Sequence, residues 1–437
     1  MEALVFIIVS SSILGYGLVS GKLERSAVTA PMAYVLFGLA ASREGLDLVE
    51  VTVEHGSIHA LAEITLVLVL FGDAARIDLR LLFREHDLPV RLLGFGMPMT
   101  ILLGAALSVV LFPGLGFFQA AVLAAILAPT DAALGQAVVN CEEVPVRIRQ
   151  TLNVESGLND GIVLPVLLVL LSLAGAADTS EPAAYWVRFA VQQISVGIVV
   201  GLLAGYAGGK LVERASDAGW MSHPFRGLSA LGLSLLAYSA AVLLQGNGFI
   251  AAFCSGLAVG NFSRSICTCV YDFAEAEGQL LTMLVFMIFG GAMLPEILEH
   301  LRERPWGETL RVGAYAVLSL TVVRMVPVSL GLRGMRLRRS TVLFLGWFGP
   351  RGLASILFAL LVLERTLLPG RELVLSVVVV TVLLSVFAHG ATAFPLSRWY
   401  GRRLARGAPE PEHLPVGQMP VRVPYSRRQA RPSPPGG

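Results

Sequence analysis

Apolar runs of about 17 to 25 residues, separated by short clusters of charge, glycine and proline, recur along the whole chain. Each is long enough to cross a bilayer as a helix. About thirteen such spans are expected, at 3–20, 27–42, 57–75, 88–112, 117–139, 147–174, 186–210, 226–245, 248–263, 278–297, 310–332, 340–363 and 372–396. The first run lacks a basic leader and a small-residue cleavage site, so it reads as a membrane helix rather than a signal peptide.

The fifth and twelfth spans carry a shared irregularity. Ala128-Pro129-Thr130-Asp131 and Gly349-Pro350-Arg351-Gly352 each place proline and a charge in mid-span, about half a chain apart. Breaks in corresponding segments of two halves point to inverted repeats whose discontinuous helices cross near the bilayer midplane, where half-helix ends can face an ion. Simple proline kinks leave the adjacent Asp131 and Arg351 unexplained. The fold class predicted is therefore an all-α membrane protein of two inverted repeats with crossed, discontinuous helices.

Composition agrees with a lipid-solvated chain: of 437 residues, 55% are hydrophobic and 15% charged, with mean hydropathy +0.71. That is more apolar surface than a soluble fold of this length hides. A formal charge of +2 gives no reason to expect nucleic acid or a strongly acidic partner. Cys141, Cys254, Cys267 and Cys269 are too few and too scattered for a disulfide framework and read as reduced.

Basic residues concentrate in alternate loops: Lys22, Arg25, Arg76, Arg80, Arg84, Arg147, Arg149, Lys210, Arg214, Arg264, Arg333, Arg336, Arg338 and Arg339 share one side, while Arg43, Arg302, Arg304, Arg365 and Arg371 are the main ones opposite. The basic side is expected to be cytoplasmic, which puts the N-terminus outside and the C-terminus inside. From 401 to 437 the composition turns to proline, arginine and glycine, and a disordered cytoplasmic tail is expected.

A charge at the bilayer centre costs at least about 2.5 to 3.5 kcal/mol, so each needs a partner or a purpose. In the sixth span Glu155 and Asn159, and Ser156 and Asp160, are each four apart and form two adjacent rows on one helix face. Arg324 in the eleventh span has no acid of its own within reach, and Glu155 is its expected partner. Asp131, Glu155 and Asp160 against Arg324 and Arg351 leave a formal charge of minus one, which one proton or one monovalent cation neutralises. Competition for a single carboxylate gives one-for-one exchange. The oxygens of Asp160, Ser156 and the break near Thr130 suit a hard alkali cation, and no His/Cys cluster suits a soft metal.

On these residues the chain resembles the monovalent cation:proton antiporter superfamily, in particular the electroneutral Na⁺/H⁺ exchangers of bacterial and archaeal type, over about residues 3–400. Asn159-Asp160 is similar to the Asn-Asp pair of that branch. The resemblance implies that Asp160 binds Na⁺ and H⁺ alternately, with Ser156 and Thr130 supplying further Na⁺ ligands and Asp131 and Asn159 belonging to the same site and steadying the crossed helices. It implies a buried ion pair, Glu155 with Arg324, and a crossed-helix charge at Arg351. Asp73 is a further candidate ligand or a helix-end partner of Arg76; the family pattern has Glu after Leu-Phe, whereas here Leu70-Phe71 is followed by Gly72-Asp73. His389 reads as a helix-end cap rather than a pH sensor.

The resemblance further implies a transport core at 88–174 and 310–396, dimerisation and scaffold helices at 1–87 and 175–309, a homodimer in lipid, and residence in a bacterial inner membrane. No cofactor is expected; Na⁺ and H⁺ are cargo. A K⁺/H⁺ antiporter of the same fold is the alternative. A channel, or an intramembrane enzyme using Ser156 with His389, is more distant.

Overall fold

The computed structural model describes residues 2–23, 26–49, 56–176, 183–263, 267–365, 370–404 and 411–420. Arg25 and Arg264, and the side chains of Cys267 and Cys269, lie outside the described set. All regular elements among the described residues are helical. In chain order they are α1 (Glu2–Leu23), α2 (Ala30–Ala41), α3 (Gly56–Ala75), α4 (Leu79–Glu85), α5 (Asp87–Arg91), α6 (Met97–Leu111), α7 (Phe117–Ile126), α8 (Ala132–Val139), α9 (Val146–Ala176) and α10 (Ala183–Asp217). There follow α11 (His223–Leu243), α12 (Gly248–Phe262), α13 (Cys267–Ile288), α14 (Leu294–Glu303), α15 (Trp306–Leu320), α16 (Val322–Gly331), α17 (Arg339–Trp347), α18 (Leu353–Arg365) and α19 (Arg371–Leu404).

Nine of the described helical stretches are long and apolar enough to cross a membrane, and four shorter apolar helices accompany them: Ala30–Ala41, Phe117–Ile126, Gly248–Phe262 and Leu353–Val362. Large apolar side chains such as Phe6, Leu14 and Leu18 on α1, Leu203 on α10 and Leu243 on α11 point outward. Only a lipid environment makes such a surface tolerable, and only helices satisfy their own backbone there. The chain is a multi-pass membrane protein.

Both irregular spans are interrupted helices. Proline has no N–H to donate and disfavours helix at the residue before it, so α7 stops ahead of Pro129 and α17 ahead of Pro350. α8 and α18 then restart the two passes. By contrast Pro165 in α9 and Pro395 in α19 leave their helices continuous.

Around this centre α3 is packed by α11, α12 and α13, and α12 also lies along α10. Small residues set these distances. A Cβ on Gly256 would collide with the Phe71 carbonyl of α3, and one on Gly260 with the Ala75 carbonyl. Gly201 and Gly205 of α10 meet Ala251 and Ser255 of α12 in the same way. Such seams allow backbones to approach closely where lipid provides no hydrophobic drive for helix association.

The disordered tail expected from 401 is corrected in two places. α19 continues to Leu404, with Tyr400 and Leu404 buried. Residues 411–420 are also ordered against the helices, with Glu412 and Met419 buried. Proline-rich composition lowers the capacity for a self-made core but says nothing about docking on an existing one. Residues 421–437 lie outside the described set. We call the face where α9 begins, α19 ends and 411–420 docks the tail side.

Replacing Gly260 with valine should separate α12 from α3 and cost about 1–3 kcal/mol or more. Thermal unfolding in detergent should show a lower midpoint than the parent. An unchanged midpoint would contradict the seam.

Candidate cation site at the helix crossing

Four helix ends meet at the two breaks, and two charged side chains tie them together. Fully buried Arg351 donates through Nη1 to the carbonyls of Ala128 and, at 3.2 Å, Pro129, at the C-terminal end of α7. A cation there complements the negative end of the helix dipole. Asp131 does the opposite at the amide ends. Its Oδ1 accepts from Ala133 N (2.6 Å) and Leu134 N (3.2 Å), capping α8. Its Oδ2 accepts from Leu353 N at 2.5 Å, reaching the first turn of α18.

Backbone and hydroxyl groups complete the crossing: Asp131 N donates to Pro350 O at 2.7 Å, and Ser355 Oγ donates to Ile126 O at 2.8 Å. The glycines of the second break are required sterically. A Cβ on Gly352 would strike the Asp131 carboxylate, and one on Gly349 the Arg324 guanidinium.

His389 and Ser385 of α19 brace the second break from behind. Arg351 N donates to Ser385 Oγ (2.6 Å), Ser385 Oγ lies 3.1 Å from His389 Nδ1, and His389 Nε2 lies 2.9 Å from Trp347 O. Nε2 thus faces the last carbonyl of α17, and Nδ1 also lies 3.0 Å from the Ser385 carbonyl, so the ring bridges α19 to the end of α17. His389 therefore caps a helix end, as its place in the sequence suggested, though the end belongs to another helix.

Against the crossing α9 lays its polar face. Asn159 Nδ2 donates to Thr130 O (3.2 Å) and Thr130 Oγ1 (2.6 Å), and Thr130 Oγ1 and Ser156 Oγ share a hydrogen bond of 3.2 Å. Thr130, Ser156 and Asn159 thus bring hydroxyl, carbonyl and amide groups to one place, with the buried Asp160 one helical turn along α9 from Ser156. A cavity of about 20 Å³, lined by Gly135, Gln136, Leu152, Asn153, Ser156 and Pro350 among others, leads toward it from the tail side.

The Asp131 carboxylate is engaged by three backbone amides across two helices, a double cap that steadies the crossing. Sequence alone misses this because the second acceptor role depends on Leu353, 222 residues away.

Arg324 Nη1 lies 2.6 Å from Glu155 Oε1, with both side chains 3% exposed, joining α16 to α9. Asp73 is buried on α3 where that helix passes Gly157 of α9, one turn before Asp160. Glu63, also on α3, accepts a hydrogen bond from Tyr238 of α11 and so satisfies a neighbouring helix away from the crossing.

The family model described as "Sodium/hydrogen exchanger, transmembrane" matches residues 8–399. The chain belongs to that family of membrane antiporters. Among its relatives, a K⁺/H⁺ antiporter NhaP from Alkalimonas amylolytica is 26% identical over 424 residues, 95% of this chain and 70% of the relative. A Na⁺/H⁺ antiporter NhaP from Pseudomonas aeruginosa is 27% identical over 348 residues, 76% of this chain and 78% of the relative. The solved sodium proton antiporter MjNhaP1 from Methanocaldococcus jannaschii superposes with a TM-score of 0.71 at 20% identity, over 89% of this chain and 99% of that one.

Removing one member of a buried ion pair leaves the other uncompensated, at a cost of about 3–5 kcal/mol. Glu155→Leu and Arg324→Leu alone should each strongly depress the thermal midpoint, and the double variant should recover most of the loss. Single variants as stable as the parent would show that the pair does not hold α9 to α16. For the brace, His389→Ala should lose about 1–3 kcal/mol by orphaning the Trp347 carbonyl, while His389→Gln, which retains an N–H donor, should lose less. Equal losses in the same unfolding assay would count against the brace.

Proposed function

We propose that the chain is a secondary antiporter that exchanges one Na⁺ for one H⁺ across a bacterial inner membrane, without net charge movement. The observation that carries the reading is the meeting of Thr130, Ser156 and Asn159 at the crossing of two broken helices, with buried Asp160 one turn from Ser156 on the same helix. Asp160 would hold Na⁺ or a proton, with Ser156 Oγ and the Thr130 oxygens as further ligands and Asn159 orienting Thr130. Asp131, Glu155 and Asp160 with Arg324 and Arg351, all buried, carry a formal charge of minus one, so loading with either ion neutralises this group. The empty, charged form is the expensive one to move across lipid, and that cost suppresses leak.

Exchange proceeds by alternating access, with residues 88–174 and 310–396 moving against a scaffold of 1–87 and 175–309. Thirteen membrane passes, the tail side in the cytoplasm and the N-terminus outside fit the distribution of basic loops. The apolar outer face of α1, with Phe6, Ile7, Leu14 and Leu18 exposed, would serve a homodimer interface bathed in lipid. Asp73, beside α9 near Gly157, would contribute to the field of the site from the scaffold side.

K⁺ in place of Na⁺ is the second reading, favoured by the K⁺/H⁺ name of the relative from Alkalimonas amylolytica, which covers 95% of this chain. Selectivity between the two depends on site size and the placement of individual oxygens.

The test is collapse of an imposed pH gradient in proteoliposomes on adding Na⁺, Li⁺ or K⁺, with the membrane potential free or clamped. Na⁺ should dissipate the gradient equally under both conditions, and Asp160→Asn should abolish the effect. Rates should fall at both pH extremes, since excess protons exclude the cation and scarce protons leave no counter-substrate. Potential-dependent rates would refute electroneutrality; a response to K⁺ but not Na⁺ would select the second reading; activity in Asp160→Asn would remove the proposed carrier.

A further inference from the structure

On the face opposite the tail side, α10 and α11 enclose a cavity of about 630 Å³, well within the range of ligand pockets. One wall is a stripe of α10, in which Tyr185, Arg188 and Gln192 are spaced to share one helix face. The other wall is Tyr238 and Val242 of α11 with Gln245 just beyond it. Below them Asn247 N donates to Gln193 O at 3.0 Å, tying the start of α12 to α10. No side chain fits at Gly246, which lies against Val196 of α10.

At 35 residues α10 is about 52 Å long, more than the roughly 30 Å of a hydrocarbon core. In its first turns the Trp186 ring lies edge-on to those of Tyr185 and Phe189, with centroids 5.5 and 6.3 Å apart. Such rings mark the headgroup level of a bilayer. The cavity therefore opens at the depth of lipid phosphates. Among its described lining residues Arg188 carries the one charge, and no carboxylate among the described residues pairs with it. The Tyr238 hydroxyl is already donated to Glu63 of α3. By contrast Arg302 and Arg304, on the same face, are paired: Arg302 with Glu44 at 2.7 Å, and Arg304 with Glu308 at 3.1 Å and Glu372 at 3.6 Å.

A second, independent feature points into the same cavity. α11 ends in a Schellman turn, with Gly246 N donating to Ala241 O at 2.7 Å and Gln245 N to Val242 O at 3.0 Å. The turn holds Gln245 at a φ of 57°, in the left-handed region where glycine is the usual choice because a Cβ crowds the backbone. Here that position carries a carboxamide, and the carboxamide lines the cavity with Arg188. Backbone strain retained at a lining residue is a mark of a site. An arginine that merely snorkels accounts for Arg188 and leaves Gln245 unexplained.

We propose that this cavity binds the headgroup of an anionic phospholipid from the leaflet opposite the tail side, with Arg188 on the phosphate diester and the carboxamides of Gln192 and Gln245 on the headgroup oxygens. A planar guanidinium suits two phosphate oxygens at once. One positive charge without an acid beside it favours a headgroup of net charge minus one over a zwitterion, whose ammonium finds no carboxylate in the lining. The acyl chains would lie on apolar side chains exposed further along the two helices, such as Val199 of α10 and Leu236 of α11. The bound lipid would thus tie α10 to α11.

Native mass spectrometry of the full chain in detergent, with dioleoylphosphatidylglycerol or dioleoylphosphatidylethanolamine added, reads the binding, and thermal unfolding reads the stabilisation that binding brings. Phosphatidylglycerol should bind the parent more tightly than the ethanolamine lipid and raise its midpoint. Arg188→Gln should weaken that binding about tenfold or more, the effect of losing a hydrogen bond to a charged group. Val242→Trp, at an exposed lining residue, should block it by filling the cavity. Gln245→Gly should weaken it while leaving the lipid-free midpoint unchanged or higher, because glycine relaxes the turn. Arg43→Gln, at an exposed arginine elsewhere on that face, should bind like the parent.

Parent-like affinity in Arg188→Gln and Val242→Trp would overturn the site. An equal loss in Arg43→Gln would replace it with general surface charge. Equal affinity for the two lipids would refute the preference for an anionic headgroup. Inorganic phosphate or glycerol 3-phosphate that displaces the lipid and raises the midpoint by itself would make the occupant a soluble phosphate instead. A Gln245→Gly protein that binds normally but unfolds earlier would show that the glutamine serves the turn alone.

Discussion

A helix interrupted inside a membrane leaves carbonyls at one cut end and amides at the other, and lipid offers neither a partner. This is the constraint on which the rest of the molecule depends. Two such cuts are brought together here, so that the Arg351 guanidinium serves the carbonyl end of α7 and the Asp131 carboxylate serves the amide ends of both α8 and α18. Each charge is stabilised by a helix end that needs it. Gly349 and Gly352 follow because nothing larger fits beside those charges, and Ser385 with His389 follow because the remaining amide and carbonyl of the second break also need partners.

With the crossing fixed, the roles of the buried acids separate. Asp131 is committed to amides, and Glu155 is committed to Arg324 across α9 and α16. Asp160 shares its helix face with Ser156, which touches Thr130 at the break and borders the tail-side cavity. The arrangement joins a rigid, internally neutralised frame to a single carboxylate near an opening. The α3, α10 and α12 layer is closely packed along its glycine seams.

Much of this was legible in the sequence, for identifiable reasons. Apolar run length marks membrane helices because the bilayer sets it, and proline marks the breaks because its missing N–H is a local property. The partnership of Arg324 with Glu155 could be inferred because a guanidinium in lipid demands an acid and few were available. That Asp131 steadies the crossing was expected; that it does so by reaching Leu353 in the other half of the chain has no local signature. Segment 411–420 was hidden for the same reason: its partners Glu85, Arg147 and Gln150 lie more than 260 residues away.

The central claim is that one carboxylate, Asp160, holds either a sodium ion or a proton. Calorimetric titration of the purified protein with Na⁺, repeated in buffers of different ionisation enthalpy, measures both the binding and the protons it releases. The account predicts close to one proton released per Na⁺ bound where Asp160 is protonated, falling toward none as pH rises, and no binding in Asp160→Asn. Sodium binding that releases no proton at any pH, or that survives in Asp160→Asn, would contradict it.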